Sequence, residues 1–262
     1  MTIFPAIQVS RLRPVLDDRP VSKRIGLITL ATDHTTEPDY HRMVASSGIA
    51  VYVARIAFAN PVTPESLRAM QPLLTEATAL ILPGEDLDAI CYSCTSASVV
   101  IGDKEIEAAI WKVKPGVPVV TPPAAGVRGL RALGARRISV LTPYTVETSR
   151  PMAGYFAEAG FAIESFTCLS LNDDREMARI SPSSLAELAA GAMAPGAEAL
   201  FISCTSVRAA GIAPAIEKLI GKPVVSSNLA SAWNCLRLCG DIAIRPELGR
   251  LMTLPLTEMR EK

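Results

Sequence analysis

Short apolar runs alternate with amphipathic stretches along the chain, and this alternation predicts parallel βα units. The first run, RIGLITL at 24–30, has the length and branched aliphatic content of a buried strand. Seven more strands are predicted at 51–58, 88–92, 116–121, 137–142, 161–170, 199–203 and 223–226. Helices are predicted near Pro38 and then at 64–82, 145–159, 181–190, 207–219 and 227–239. The pattern therefore predicts an α/β fold.

The second half of the chain repeats the first. RIGLITLATDHTTEP (24–38) aligns with RISVLTPYTVETSRP (137–151), and Ser-Cys-Thr-Ser occurs at 93–96 and again at 203–206. GVPVVTPPAAG (116–126) aligns with GKPVVSSNLAS (221–231). Three blocks that recur in the same order indicate an internal duplication.

A duplicated α/β chain predicts two pseudo-symmetric domains, each a small parallel sheet flanked by helices. We expect one half to comprise residues 1–122 with about 230–262, and the other to comprise 123–229. Ligands of parallel sheets bind beyond the carboxyl ends of the strands. Both Ser-Cys-Thr-Ser blocks fall at such ends, so the active site is expected in the cleft between the halves.

Composition narrows the classes of partner. The 262 residues include 26 acidic and 26 basic side chains, a formal net charge of zero, which argues against nucleic acid and anionic membranes. No apolar run of about 18 residues predicts a membrane span, and the first residues lack the pattern of a secretory signal. We therefore expect a cytoplasmic protein. Its 49% hydrophobic content is compatible with a large core and with a homo-oligomer.

The repeated block carries the candidate chemistry. Cys94 and Cys204 each follow a predicted strand and precede a predicted helix, whose free N–H groups and dipole lower a thiol pKa and attract a carboxylate. Neighbouring hydroxyls supply further donors, namely those of Thr95, Ser96, Thr205 and Ser206. Two sulfur atoms facing one substrate suit proton removal on one side and delivery on the other, or addition and elimination.

The other cysteines have different interpretations. Six cysteines are too few for a disulfide framework, and Cys168, Cys235 and Cys239 are expected to be packing residues. Cys91 and Cys94 form a C-x-x-C motif between a strand and a helix, as in thioredoxin-like redox proteins. The second block has Phe201 where the first has Cys91, which favours Cys91 as a strand residue. The redox hypothesis remains as an alternative.

Three further positions are candidate ligands of a substrate. His34 lies in the turn 32–36 after the first strand, where the alternative is a helix cap formed by Thr35 or Thr36. Tyr144 follows a strand of the second half and has a hydroxyl suited to a carboxylate. Asn172 begins a polar loop after another strand, where a helix cap is again the alternative. G-x-G-x-x-G, the P-loop, G-x-S-x-G and H-E-x-x-H are absent, which argues against nucleotide, lipase and zincin chemistry.

RIGLITLATDHTTEPDY, SCTSAS, RISVLTPY and the second SCTS resemble the aspartate/glutamate/hydantoin racemase superfamily. The resemblance extends from about Arg24 to Gly240 and is strongest to the branch of maleate cis-trans isomerases and arylmalonate decarboxylases, especially its ectoine-utilisation proteins. It implies two similar α/β domains, no cofactor and a small carboxylate substrate. The family's two cysteines correspond to Cys94 and Cys204, and its tyrosine to Tyr144.

The resemblance also implies which residues bind the substrate carboxylates. At some positions, however, this sequence differs from the family. The binding positions correspond to Thr95, Ser96, Thr205 and Ser206, with Asn172 aligned to a second asparagine of the family. The asparagine of the family's first βα turn is replaced by His34, preceded by Asp33. Decarboxylases of the branch carry glycine at the position of Cys94. The paired cysteines therefore favour an isomerase or racemase.

The main hypothesis is a cofactor-independent isomerase that uses both cysteines for cis-trans isomerisation or racemisation of a small carboxylic acid. One alternative is a decarboxylase of malonate-type acids in which Cys204 donates the proton. Another is a metabolite-binding protein without catalysis. These hypotheses differ in what they require of Cys94, since only the isomerase uses both sulfur atoms.

Overall fold

The computed structural model describes residues 5, 7–45 and 47–256, in which eight strands form two four-stranded parallel sheets. The first sheet has the order β2-β1-β3-β4 and the second the order β6-β5-β7-β8. The strands are β1 Lys23–Leu30, β2 Ile49–Ile56, β3 Ala89–Tyr92, β4 Val119–Val120, β5 Arg137–Tyr144, β6 Ala162–Leu171, β7 Ala199–Ile202 and β8 Val224–Ser226. The same order in both sheets confirms the predicted duplicated α/β fold.

Helices cover both faces of each sheet, as parallel strands require. They are α1 Thr36–Val44, α2 Pro64–Arg68, α3 Leu73–Ala79, α4 Thr95–Ile101, α5 Asp103–Trp111, α6 Pro122–Ala132, α7 Val146–Glu158, α8 Asp174–Ala178, α9 Pro182–Ala192, α10 Ala213–Ile220 and α11 Ser227–Leu238. The central strands β1, β3, β5 and β7 are buried almost throughout, whereas the edge strands β2 and β6 are partly exposed. The continuous apolar runs of the sequence are these central strands.

Two predicted helices differ from those observed, and a proline explains each difference. The single helix predicted at 64–82 is two helices, because Pro72 lacks an N–H and disfavours helical geometry in the residue before it. The helix predicted from residue 207 begins at Ala213, with Pro214 in its first turn. The segment after Cys204 is consequently a series of bends and a short 3-10 turn at Ala210–Ile212.

Helices α6 and α11 occupy matching positions on opposite halves. On α6, a Cβ added to Gly126 would lie 2.6 Å from Cε2 of Phe201 in β7, so the ring fills the space beside the helix backbone. On α11, the aligned residue is Ser231, whose hydroxyl donates to the carbonyl oxygen of Ser227 and lies close enough to the Cys91 thiol of β3 to lower its pKa. Each helix thus packs on the sheet that the predicted division assigns to it. The boundaries near residues 122 and 230 remain a prediction, and this reciprocal packing is the observation in their favour.

Candidate active site

The structure brings both cysteines of the repeated blocks to one place. Cys94 lies two residues after β3, Cys204 lies two residues after β7, and Tyr144 is the last residue of β5. Burial raises the pKa of Tyr144, and the neighbouring thiols of Cys204 and Cys94 raise it further. Cys94 also raises the pKa of Cys204. Cys94, Cys204 and Tyr144 therefore form one cluster at the carboxyl ends of the central strands.

Cys94 is the N-cap residue of α4 and has extended backbone geometry, with φ of −149°. Its sulfur lies 3.9 Å from Oγ of Ser96. Burial raises the pKa of the thiol to about 12, although the backbone N–H of Ala97 opposes this shift. The helix N-terminus was expected to lower this pKa, and that expectation is wrong because the loss of hydration outweighs the N–H contact. The side chain is only 4% exposed.

Cys204 has a different local geometry from Cys94. Its φ is +87°, a left-handed conformation that costs a residue with a side chain about 1–3 kcal/mol. No α-helix begins directly after it, so the predicted helix N-terminus at this cysteine is wrong. Its sulfur lies 3.9 Å from Sδ of Met177, and burial followed by the Asp174 carboxylate raises its pKa to about 12. The sequence blocks repeat, but the two cysteine environments do not.

Two of the four hydroxyls predicted to bind a carboxylate instead form hydrogen bonds within the protein, between its two halves. Oγ1 of Thr95 donates to Oγ of Ser227 at 2.8 Å, which ties the start of α4 to the start of α11. Oγ1 of Thr205 donates to the carbonyl oxygen of Ser93 at 3.3 Å. Both side chains are buried. These bonds hold the two cysteine blocks against one another.

The other two hydroxyls lie closer to the sulfur atoms. Oγ of Ser206 donates to Oδ1 of Asp174 at 2.5 Å. Ser96 faces the Cys94 sulfur, and its hydroxyl also lowers the pKa of Tyr144, which places it between that ring and the thiol. The backbone N–H of Ser206 lowers the pKa of Cys204. Ser96 and Tyr144 are thus the hydroxyl groups that face the sulfur pair most directly.

The turn after β1 is a helix cap with one exposed histidine. Oδ1 of Asp33 accepts hydrogen bonds from the backbone N–H groups of Thr35 and Thr36, both at 2.7 Å, and Oδ2 accepts from Oγ1 of Thr36 at 2.6 Å. Thr35 occupies the N-cap position of α1, as the alternative proposed, but the side chain that accepts the capping hydrogen bonds is that of Asp33. His34 is exposed at this turn, near enough to lower the pKa of Asp174.

Asn172 lies at the rim of the site and contacts the first half through its backbone. The residue is exposed, and its carbonyl oxygen accepts from the N–H of Val62 at 2.8 Å. Asn60 makes the neighbouring contacts, with Nδ2 donating to Oδ1 of Asp173 and Oδ1 accepting from the N–H of Asp174, both at 3.1 Å. The loop 57–63 of the first half therefore fixes the start of α8 in the second.

The sequence interpretation missed Asp174. This residue was treated as part of a capping loop, but its carboxylate is 4% exposed and accepts from Ser206 and from Oγ1 of Thr32, the latter at 2.7 Å. Its partner in sequence, Asp173, pairs with Arg175 at 2.6 Å on the outside. The position after a strand was a usable signal. Which of two adjacent aspartates faces inward depends on the rotation of α8, which the sequence does not specify.

Within the described residues no group of three or more His, Cys, Asp or Glu side chains is arranged to hold a metal ion. No helix among them is long and apolar enough to cross a membrane. The charged groups that act on the two thiols are instead carboxylates, since Asp174 raises the pKa of both and Asp33 raises that of Cys94. The chemistry of the site therefore centres on sulfur and carboxylate.

The raised thiol pKa values predict a loss of stability at alkaline pH. The folded protein holds protons on Cys94 and Cys204 up to about pH 12, whereas the unfolded chain releases them near 9.0. The contribution of these two thiols to the free energy of unfolding should be constant below pH 8 and fall above pH 9, by up to about 3 kcal/mol per pH unit for two protons. Urea denaturation between pH 7 and 10.5 measures this slope.

The matched variants for this measurement are Cys94→Ala/Cys204→Ala and Cys168→Ala. The double variant should lose about half of the slope between pH 9 and 10, because neither alanine ionises, and the raised pKa values of Cys235 and Cys239 account for the rest. Cys168→Ala removes a half-buried thiol on β6 and should keep the slope of the wild type. A double variant with an unchanged slope would contradict the assignment.

Two sheets of one strand order, each with a buried cysteine after a central strand, define a duplicated α/β protein with a cysteine pair between its halves. The chain belongs to the arylmalonate decarboxylase family, whose sequence profile matches residues 26–252. This confirms the predicted branch of the superfamily. The narrower resemblance to ectoine-utilisation proteins stays a prediction.

Relatives of this chain include both a decarboxylase and isomerases. An arylmalonate decarboxylase from Bordetella bronchiseptica is 34% identical over 139 residues, which span 52% of this chain and 58% of that enzyme. A maleate isomerase from Nocardia farcinica is 27% identical over 241 residues, 88% of this chain and 95% of that enzyme. A solved structure of a Nocardia farcinica maleate cis-trans isomerase mutant, with a covalently bound succinylcysteine intermediate, superposes with a TM-score of 0.82 at 24% identity. It covers 88% of this chain and 98% of that chain.

Proposed function

We propose that this chain is a cofactor-independent isomerase of a small carboxylic acid and that Cys94 and Cys204 are its two reacting groups. The observation that carries the proposal is the convergence of both sulfur atoms on Tyr144 at the junction of the halves. A single-cysteine reaction would not require a buried thiol at the end of both central strands. The family membership supports a reaction next to a carboxylate.

The two sulfur atoms support two versions of the reaction. With a cis-enedioate, the Cys94 thiolate adds to one alkene carbon, and the displaced π electrons take a proton from Cys204 at the other carbon. The carbon–carbon bond, now single, rotates, and reversal of both steps expels the thiolate and gives the trans acid. With a chiral acid, one thiolate removes the α-proton and the opposite thiol delivers one to the other face. The succinylcysteine reported for the Nocardia isomerase corresponds to the first version.

The raised pKa of both thiols is suited to this chemistry. A proton next to a carboxylate is a very weak acid, so its removal needs a strong base, and a thiolate whose thiol has a pKa of about 12 is stronger than a free one. Such a thiolate is scarce at neutral pH. We infer that the reactive form is the small fraction of the protein in which one of the two thiols has released its proton to solvent.

The remaining site residues are proposed to hold the carboxylate. Ser96 and Tyr144 have hydroxyls beside the sulfur atoms and would donate to a substrate oxygen, where charge develops in the transition state. Thr95, Thr205 and Ser206 would contribute through backbone N–H groups, since their hydroxyls are bonded within the protein. His34 and Asn172 are proposed contacts at the rim.

The second candidate function is decarboxylation of a malonate-type acid with Cys204 as the proton donor. The 34% identity to the Bordetella decarboxylase favours it. In that reaction carbon dioxide leaves, the electron pair stays on the α-carbon, and one proton from Cys204 completes the product. Cys94 would have no role, so Cys94→Gly should retain activity.

The test is incubation of the wild-type protein with small carboxylic and amino acids in deuterated water, followed by NMR and carbon dioxide detection. A racemase should incorporate deuterium at the α-carbon as it forms the mirror isomer, and a cis-trans isomerase should form the geometric isomer, in both cases without gas release. Carbon dioxide from a malonate, retained in Cys94→Gly, would replace the proposal by the lyase. Ligand binding without deuterium incorporation or product would contradict both and indicate a binding protein.

A further inference from the structure

Asp174 is a charged side chain that acts on both Cys94 and Cys204. Its carboxylate is almost fully buried between the halves, with Oδ1 accepting from Ser206 at 2.5 Å and Oδ2 accepting from Thr32 at 2.7 Å. It raises the pKa of both Cys94 and Cys204. A carboxylate with these contacts lies beside the cysteine pair.

The position of α8 explains why Asp174 faces the site. Asp174 and Met177 are three residues apart and therefore share one face of the helix. Met177 is in contact with Cys204, the two sulfur atoms being 3.9 Å apart. Asn60, from the other half, holds the start of α8 through its bonds to the Asp174 N–H and the Asp173 carboxylate. The carboxylate is thus held in place by contacts from both halves.

The hydrogen bonds at Asp174 leave more acceptor capacity than those at Asp33. Asp33 is also buried near the site, but three donors from Thr35 and Thr36 occupy its oxygens. Asp174 receives one neutral hydroxyl on each oxygen, so each keeps a lone-pair position. Among the groups that shift its pKa most, the only basic side chain is His34, which is exposed. A buried carboxylate without a buried cation favours a positively charged ligand.

We propose that Asp174 binds an ammonium group of the substrate, so that the two-cysteine reaction takes a small aminocarboxylate and not a dicarboxylate. The proposal rests on the proposed function, because it assigns the substrate class of the same site. An ammonium group would pair with Asp174 by a charge-assisted hydrogen bond while the substrate carboxylate meets Ser96 and Tyr144. A second substrate carboxylate in that place would face like charge in a poorly hydrated site.

Matched ligand pairs test the proposal by binding, without any need for turnover. Each pair consists of a 2-, 3- or 4-aminocarboxylate of three to five carbons and the acid in which a carboxylate replaces its ammonium group, such as alanine and methylmalonate. Titration calorimetry should give tighter binding of at least one aminocarboxylate than of its matched dicarboxylate. Asp174→Asn should weaken the first and strengthen the second, moving the ratio of dissociation constants at least 100-fold.

Asp173→Asn is the matched control, since it removes the adjacent carboxylate that pairs with Arg175 on the outside. It should leave the ratio within twofold of the wild type. Wild-type preference for the dicarboxylate, absence of binding by every aminocarboxylate, or an unchanged ratio in folded Asp174→Asn would each overturn the proposal. Aminocarboxylate binding without deuterium exchange would instead count against the two-cysteine reaction and leave the role of Asp174 intact.

Discussion

Cys94→Ala and Cys204→Ala should each lower the rate of isomerisation or racemisation by at least about 1000-fold, the magnitude expected when a reacting acid/base group is removed. Each reaction version uses one sulfur on either side of the substrate, so neither thiol replaces the other. The double variant should be about as inactive as either single variant, because groups that act as a unit are not additive. Product formation by NMR measures all three.

Folding controls separate chemistry from packing in this series. Cys94→Ser and Cys204→Ser keep the size and polarity of the side chain and should be equally inactive, since an alcohol is a far weaker acid than a thiol. Cys239→Ala, at the end of α11 and remote from the repeated block, should remain fully active. Retained product formation in either single alanine variant would refute the paired-cysteine mechanism.

The sequence predicted the architecture well because the fold depends on local pattern. Buried central strands leave continuous apolar runs such as 24–30, and the observed β1 differs from that prediction by one residue. The duplication was visible because both halves must close the same strand order with the same turns. Proline was the main source of error, since Pro72 and Pro214 set helix boundaries that the apolar period alone does not reveal.

The electrostatic properties of the site could be predicted less well from the sequence. A helix start after Cys94 correctly indicated donors near the sulfur, but the pKa depends on burial, which comes from the packing of the second half on the first. The left-handed backbone of Cys204 is equally invisible, because the block that contains it is identical in sequence to the extended one. Identical tetrapeptides adopt different geometries here because the segments that follow them differ.

The cores of the two halves differ in the pair of residues at which a helix packs on β3 or β7. In the second half, Phe201 fills the space next to Gly126, and its ring packs against Phe156 with centroids 4.8 Å apart. In the first half the aligned residues are Cys91 and Ser231. A large strand residue beside glycine and a small one beside serine are two ways of packing the same strand and helix together. This interpretation makes Cys91 a packing residue and predicts coupling between the paired positions.

Phe201→Ala should lower the free energy of unfolding by about 3–5 kcal/mol, since it empties a fully buried site. That is a large part of the 5–15 kcal/mol typical of a domain. Gly126→Ser should cost about 1–3 kcal/mol alone, because its Cβ would displace the ring. In the Phe201→Cys background, which restores the pair found in the first half, the same serine should cost at least about 1 kcal/mol less. Urea denaturation of the wild type, Gly126→Ser, Phe201→Cys and the double variant measures the coupling between the two positions.

Gly154→Ser provides the control for this cycle. Gly154 is also a helical glycine, on α7, but a Cβ there meets no atom within 4 Å. Its substitution should leave stability unchanged or raise it by up to about 1 kcal/mol through helix propensity, equally in both backgrounds. Additivity of Gly126→Ser and Phe201→Cys within about 0.5 kcal/mol would mean that the halves did not diverge by compensating volume.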